Sequence, residues 1–163
     1  MPDWMSHLII GLILAEVFNI RKKSLVVLGT LAPDILSKIQ LIYFYFGISP
    51  PISFISFHTP LMWFLLSILI APLFKYDRLK TILLINIGAL SHFLSDLTIK
   101  HFGGSGTRLF FPFSNSNYTL NLIWPEQSVY ILIASLVIYL IVKVVKKYFF
   151  KMQALRKQQT RFL

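Results

Sequence analysis

The sequence contains no cysteine and few charged residues. Without cysteine, disulfides, thiolate nucleophiles and thiolate metal sites are excluded, so any metal ion must be held by imidazole and carboxylate groups. Only 13% of the 163 residues are charged. A hydrophobic fraction of 56% and a mean hydropathy of +0.70 are typical of an integral membrane protein rather than of a soluble domain.

Several catalytic motifs are also missing. The chain has no G-x-S-x-G elbow, no H-E-x-x-H pair, no P-loop motif of nucleotide-binding proteins and no dinucleotide fingerprint. Serine hydrolases, zincin-type proteases and nucleotide-driven pumps therefore have little support. The first apolar run has no basic region before it and no small-residue cleavage site, so we interpret it as a retained helix rather than a signal peptide.

Five apolar segments, each near the length of a tilted membrane-spanning helix, follow one another along the chain. They cover residues 5–20, 24–46, 57–74, 81–99 and 127–142. We therefore expect an all-α integral membrane bundle of about five transmembrane helices. In this interpretation residues 1–142 form the membrane domain, with an extracytoplasmic loop at 100–126, and residues 143–163 form a basic cytoplasmic tail.

The 16 lysine and arginine residues predict the orientation of that bundle. They cluster at residues 21–23, at 75–80 and after Val142, and only Lys38, Lys100 and Arg108 lie elsewhere. Because positive charge collects on the cytoplasmic side, we expect the N-terminus outside and the C-terminus inside. Clusters between apolar runs indicate topology rather than nucleic acid binding, despite the net charge of +10. The tail is either an interfacial helix on anionic lipid or a solvated topogenic segment.

His92 and Asp96 lie four residues apart inside the fourth apolar segment. In a helix this spacing points both side chains to one face, about 6 Å apart along the axis. Ionisable groups at membrane depth cost roughly 3 kcal/mol and therefore mark functional sites by default. The pair is suited to chelating a metal ion, and a hydrogen bond to a neighbouring helix is the structural alternative.

Three further residues should reach the same depth from other segments. His7 lies near the outer end of the first segment, Asp34 near the middle of the second, and His58 at the outer start of the third. The structural alternatives are an ion pair of Asp34 with Lys38 and interfacial positions for the two histidines. The set expected to converge as candidate metal ligands is therefore His7, Asp34, His58, His92 and Asp96.

Other titratable groups are weaker candidates. Glu16 points away from His7 and lies about 13 Å deeper beside Arg21, so we interpret it as structural. Glu126 opens the last segment, where a carboxylate suits the helix dipole. His101 is expected to be an exposed loop histidine, with a role as an additional ligand as the alternative.

Short motifs occur around these residues in a fixed order. They are His7 in MSHLIIG, Pro33-Asp34, HTPL at 58–61, SHFLSD at 91–96 and GTRLFFPFS at 106–114. This order, over about residues 1–125, resembles the YdjM-like family of membrane-bound metal-dependent hydrolases. The chain departs from the family pattern at Leu36, where a second acid is frequent, and at Ser53 and Phe54, where a His-Arg pair is usual.

The family is thought to be related to zinc-dependent phospholipase C and the fungal single-strand nucleases, which are helical enzymes acting on phosphoesters. The resemblance therefore implies a hydrolase in which His7, Asp34, His58, His92 and Asp96 bind one or two divalent ions, with zinc favoured. We expect a metal-activated water to attack a phosphoester or other bond of a lipid-like substrate. Asp34 or Asp96 would bridge metals or orient the water.

Arg108 follows the glycine-rich run at 103–106, which either wraps a phosphate with Arg108 as its clamp or is a flexible loop. In the first case Arg108 would hold the phosphate in the transition state. The expected location is the cell membrane, with several spans and an active site facing the extracytoplasmic leaflet. The expected partners are the bilayer and the lipid-like substrate, without direct nucleic acid binding.

Two other functions could use the same residues. A proton- or cation-coupled carrier would relay charge through the His and Asp side chains, although five helices are few and no inverted repeat is visible. A non-catalytic interaction protein would use the basic tail to recruit a cytoplasmic or lipid partner. Tightly held stoichiometric metal would favour the enzyme, whereas metal-free protein with pH-dependent flux would favour the carrier.

Overall fold

The structure, a computed structural model, describes residues 4–50, 54–100 and 106–159. Within these ranges all the regular secondary structure is helical, residues 106–124 form turns and irregular backbone, and two isolated bridges join Ile99 with Ile123 and Thr107 with Tyr118. The all-α expectation is therefore confirmed. The five α-helices are α1 (Trp4–Val17), α2 (Lys23–Tyr45), α3 (Pro60–Ile70), α4 (Arg78–Leu97) and α5 (Ser128–Gln159). Short 3₁₀ helices cover Phe54–Phe57, Ala71–Leu73 and Pro125–Gln127.

Among the described residues, two helical stretches are long and apolar enough to cross a membrane, Lys23–Tyr45 and Pro125–Gln153. Helices α1 and α3 are apolar but shorter. The five-span arrangement and its orientation therefore stay predictions. Helix α5 passes Val142 without a break, so the segment expected to be a separate basic tail continues the last helix as far as Gln159.

Helix starts follow local chemistry rather than the edges of the apolar runs. Helix α4 begins three residues before the predicted position 81, because the Asp77 side chain accepts a 2.8 Å hydrogen bond from the Lys80 amide and caps the first turn. Helix α3 begins at Pro60 rather than at 57, and proline suits the first position because its missing N–H has no helical partner to lose there.

Facing glycines bring α2 and α4 into backbone contact. A Cβ atom on Gly29 would lie 2.0 Å from the Ile85 carbonyl oxygen, and one on Gly88 would lie 2.1 Å from the Val26 carbonyl oxygen. Only glycine permits this approach, as is common where membrane helices pack closely. At Gly11 of α1, a Cβ atom would meet the Thr30 side chain of α2 at 2.8 Å.

Each of these glycines lies about one turn from a candidate ligand. His7 is four residues before Gly11, Asp34 is five residues after Gly29, and His92 is four residues after Gly88. The close crossings therefore bring polar side chains of α1, α2 and α4 together at one level. Beside them lies the apolar core of Leu25, Trp63, Ile85, Ala89 and Phe93.

The segment after residue 106 packs on the end of α4 that carries Asp96. The backbone N–H of Leu120 donates to the Leu97 carbonyl at 2.7 Å, and the N–H of Lys100 donates to the Ile123 carbonyl at 2.8 Å. The first of these bonds satisfies a carbonyl that the end of α4 leaves free. The connection between α4 and α5 thus lies at the end of the bundle where the candidate ligands meet.

Candidate metal centre

Four of the predicted ligands form one cluster. One donor atom each from Asp34, His58, His92 and Asp96 lies within 4.8 Å of all the others. Helices α2 and α4 provide three of these residues, and His58 comes from the turn before α3. The side chains of Asp34, His92 and Asp96 are buried, whereas that of His58 is 15% exposed. The predicted convergence of residues far apart in sequence is therefore present.

The separations within the cluster match the edges of a metal coordination shell. His58 Nε2 lies 2.8 Å from His92 Nε2 and 3.0 Å from Asp96 Oδ2, and His92 Nε2 lies 3.4 Å from the same oxygen. Two ligands bound at roughly 2.05 Å are about 2.9 Å apart at a right angle and about 3.3 Å apart at the tetrahedral angle. These three atoms can therefore share one small cation.

A backbone carbonyl orients His92. The Nδ1 of His92 lies 2.8 Å from the Thr30 carbonyl oxygen of α2. Because a carbonyl only accepts, Nδ1 carries the hydrogen, and the neutral ring presents the lone pair of Nε2 to the cluster. Metal-binding histidines are commonly held in this way by a second hydrogen bond. Pro33 leaves the neighbouring Gly29 carbonyl without its usual helical donor, although α2 continues through it as one helix.

The two oxygens of Asp34 have different surroundings. Oδ2 lies 3.3 Å from Nζ of Lys38, one turn along α2, so the predicted ion pair is present. Oδ1 faces the cluster instead, at 3.5 Å from His58 Nε2 and 4.0 Å from His92 Nε2. The ion pair and a ligand role are therefore compatible, because each uses a different oxygen.

His7 lies beside the four-residue cluster, on the other side of Asp96. Its Nε2 is 3.4 Å from Asp96 Oδ1, and its ring centroid is 4.2 Å from that of His92. One oxygen of the Asp96 carboxylate, Oδ1, therefore faces His7, and the other, Oδ2, faces the His58 and His92 rings. This arrangement suits a carboxylate shared between two positions.

Buried polar atoms without hydrogen bonds test whether the residues fit a cation. Among the described residues they include both ring nitrogens of His7, Oδ1 of Asp34 and both carboxylate oxygens of Asp96. Buried polar atoms normally have partners, so a group of such atoms in one small region is unusual. The combination of imidazole and carboxylate suits divalent transition ions such as zinc. The residues present therefore fit a metal ion.

The remaining predicted site residues are not part of this cluster. Arg108 is half-buried in the segment after α4, and within the described ranges no ion pair or hydrogen bond links it to the cluster. Glu126 is exposed in the 3₁₀ helix before α5. His101 and residues 103–105 lie outside the described residues. Phe54, one position of the family's His-Arg pair, stacks on Tyr43 with ring centroids 5.7 Å apart.

Glu16 is structural, as predicted, but its partners differ from the expectation. It is 8% exposed and pairs with Lys23 at the start of α2 and with Lys146 of α5. The sequence had placed it beside Arg21 instead. The helix after the turn places Lys23, rather than Arg21, over the end of α1. This network lies at the opposite end of α1 from His7.

Sequence reasoning missed two contributions to the site. The sequence predicted Lys38 only as an ion-pair partner that would replace a ligand role of Asp34. In the structure its ammonium lies beside the cluster and over the Trp4 ring, 4.6 Å from the centroid. The Thr30 carbonyl had no signal in the sequence, because a backbone acceptor carries no mark of the side chain that will reach it. The spacing of Asp34 and Lys38 by one helical turn was the signal for the first contribution.

Comparison with known proteins gives one result. No curated protein and no solved structure matches the chain. The model of one family, described as YdjM inner membrane protein, matches residues 1–157, which include all five candidate ligands and nearly all of α5. The chain therefore belongs to the YdjM inner membrane protein family.

Proposed function

We propose that this protein is a membrane-embedded, metal-dependent hydrolase that cleaves a phosphoester or related bond of a lipid-like substrate. The observation that carries the proposal is the buried group of two carboxylates and two imidazoles within 4.8 Å. Burying two carboxylates in an apolar bundle is unfavourable unless a cation accompanies them. Membership of an inner membrane family supports the location.

The chain's own side chains have separable tasks in this proposal. A divalent ion held by Asp34, His58, His92 and Asp96 would polarise a substrate oxygen and make water acidic enough to react near neutral pH. The Thr30 carbonyl keeps the His92 ring in the required tautomer. Asp96, with one oxygen toward His7, can accept a hydrogen bond from the attacking water and orient it.

Lys38 is suited to bind the anionic group of the substrate. Its side chain is 33% exposed, so it reaches the surface while its ammonium stays 3.3 Å from Asp34. A phosphoryl group near the cluster would gain a charge-assisted hydrogen bond from this ammonium. Arg108 stays a second candidate for the same task, since the segment that carries it covers the same end of the bundle.

A lipid-like substrate is favoured by the surface around the cluster. Trp4 and Ile35 are each 46% exposed, and they neighbour Lys38 and Asp34 respectively. An apolar tail could lie along these side chains while the polar bond reaches the cluster. His58 is the exposed edge of that cluster, which gives the site an opening. The entry from the outer leaflet follows from the predicted orientation and is part of the proposal.

The test is metal content and hydrolysis measured on the same samples. Full-length protein purified in mild detergent should contain metal in stoichiometric amount, with anomalous scattering at the zinc edge locating it between α2 and α4. The variants His92→Ala and Asp96→Ala should lose the metal and hydrolysis of phospholipid substrates, while membrane insertion persists. Glu126→Ala is the matched control, since it removes an exposed carboxylate outside the cluster.

Three results would contradict the proposal. Metal retained in both His92→Ala and Asp96→Ala would show that the cluster is not the binding site. Metal-free protein that carries out pH-dependent ion flux in proteoliposomes would support the carrier instead. Metal binding without hydrolysis of any phospholipid or phosphoester would reject the enzyme while keeping the metal site.

A further inference from the structure

Helix α5 extends beyond the helix against which it packs. Lys146 binds Glu16 near the end of α1, and α5 continues from there to Gln159. Its 32 residues span roughly 48 Å, whereas the hydrocarbon core of a bilayer is about 30 Å thick. If α5 enters the core at Ser128, Lys147 lies about 28 Å further along, at the level of the lipid head groups.

A large apolar cavity lies where α5 passes the end of α1. Its volume is about 540 Å³, and Val17 at the end of α1 forms one wall. The opposite wall is one face of α5, with Ile141, Val145 and Phe149 among its residues. A surface cavity of this size and character can hold a segment of an acyl chain.

A second cavity of about 370 Å³ adjoins the first and is basic. It is lined by Lys143, Lys146 and Lys147 together with Glu16. Lys146 and Phe150 line both cavities, so the apolar and basic cavities adjoin along α5 as two parts of a groove beside α1. The groove thus has the amphipathic division of a phospholipid, with an acyl part and a head-group part.

The charges in the basic part are not balanced within the protein. Glu16 is already paired with Lys23 and Lys146. Lys143 lies 5.1 Å from the Tyr139 ring centroid, and no carboxylate in the described part of the chain pairs with it or with Lys147. These two lysines, four residues apart on one face of α5, are therefore available to an external anion.

We propose that this groove, which we call the α1–α5 groove, binds one anionic phospholipid. The phosphate lies between Lys143 and Lys147, and an acyl chain follows Val145 and Phe149 toward Ile141. A second copy of the chain is a poor occupant, because it would bring like charge to the same lysines. The site is distinct from the metal centre, since Glu16 is nine residues from His7, roughly 13 Å along α1.

Native mass spectrometry of the full-length protein in detergent tests the proposal. The protein is titrated with phosphatidylglycerol and with phosphatidylcholine of the same chain length, and the dissociation constant of the first bound lipid is compared. The anionic lipid should bind at least tenfold more tightly. The double variant Lys143→Gln with Lys147→Gln should weaken its binding roughly 30-fold, because each lysine near an anionic surface contributes about fivefold.

The matched control is Lys75→Gln with Lys80→Gln, which removes the same charge outside the groove. It should change the dissociation constant less than twofold. An equal loss of phosphatidylglycerol affinity in both double variants would show that general surface charge, and not the groove, determines binding. Phe149→Ala should weaken phosphatidylglycerol binding through the apolar part. The proposal would be overturned if the two lipids bound equally well, or if glycerol phosphate displaced the lipid at equal concentration. It would also be overturned if the protein formed a dimer and bound no lipid.

Discussion

The crossing of α2 and α4 offers the sharpest test of how the site is assembled. In Gly29→Ala the new methyl group would lie 2.0 Å from the Ile85 carbonyl oxygen, a backbone atom that cannot rotate away. Restoring an ordinary contact of 3.4 Å requires the helices to separate by about 1.4 Å. The same separation would stretch the 2.8 Å bond from His92 Nδ1 to the Thr30 carbonyl beyond hydrogen-bond range.

The cost should appear in two measurements. Overpacking and the lost bond to a buried ring each contribute about 1–3 kcal/mol, so thermal unfolding in detergent should shift clearly downward. Metal affinity, measured by competition with a chelator, should fall 10- to 100-fold because His92 loses its orienting partner. Leu90→Ala is the control, since that side chain on α4 is 56% exposed. Unchanged metal affinity in Gly29→Ala would refute the link between the crossing and the site.

Three other predictions address the site and the topology. Lys38→Ala should keep the metal but lower kcat/KM for a phosphoester at least tenfold, and Lys38→Arg should restore part of it; equal activity in all three proteins would exclude an anion-binding role. His7→Ala should weaken metal affinity about 10- to 100-fold without abolishing binding, by chelator competition, because His7 contacts Asp96 outside the four-residue cluster. Since the chain lacks cysteine, an impermeant maleimide on intact cells should label Phe113→Cys and spare Gln153→Cys; the reverse pattern would overturn the predicted orientation.

The site was predictable because its residues are exceptional in their surroundings. A histidine or aspartate within an apolar run is expensive, so each of the five candidates stood out, and a common depth was enough to group them. The structure brings four into one cluster and the fifth, His7, against Asp96. The sequence could not show which oxygen of a carboxylate faces which neighbour, because that depends on helix rotation.

The helix boundaries were less predictable for a physical reason. Apolar runs report where a chain is hydrophobic, whereas helices begin at caps such as Asp77 and prolines such as Pro60. The end of α5 was missed because lysine and arginine favour helices nearly as well as the apolar residues before them. The glycine crossings could not be predicted from the sequence, since the surface that each glycine meets depends on how two helices pack.

The charge of the buried cluster connects the enzyme and carrier interpretations. With neutral histidines, the two carboxylates of Asp34 and Asp96 face a single ammonium, that of Lys38, among the described residues. One negative charge is then uncompensated in an apolar bundle, so a cation in the cluster would stabilise the protein. A proton on an imidazole or a divalent ion would each serve. The spacing favours the divalent ion, because His58 Nε2, His92 Nε2 and Asp96 Oδ2 lie 2.8–3.4 Å apart, as ligands of one small cation do.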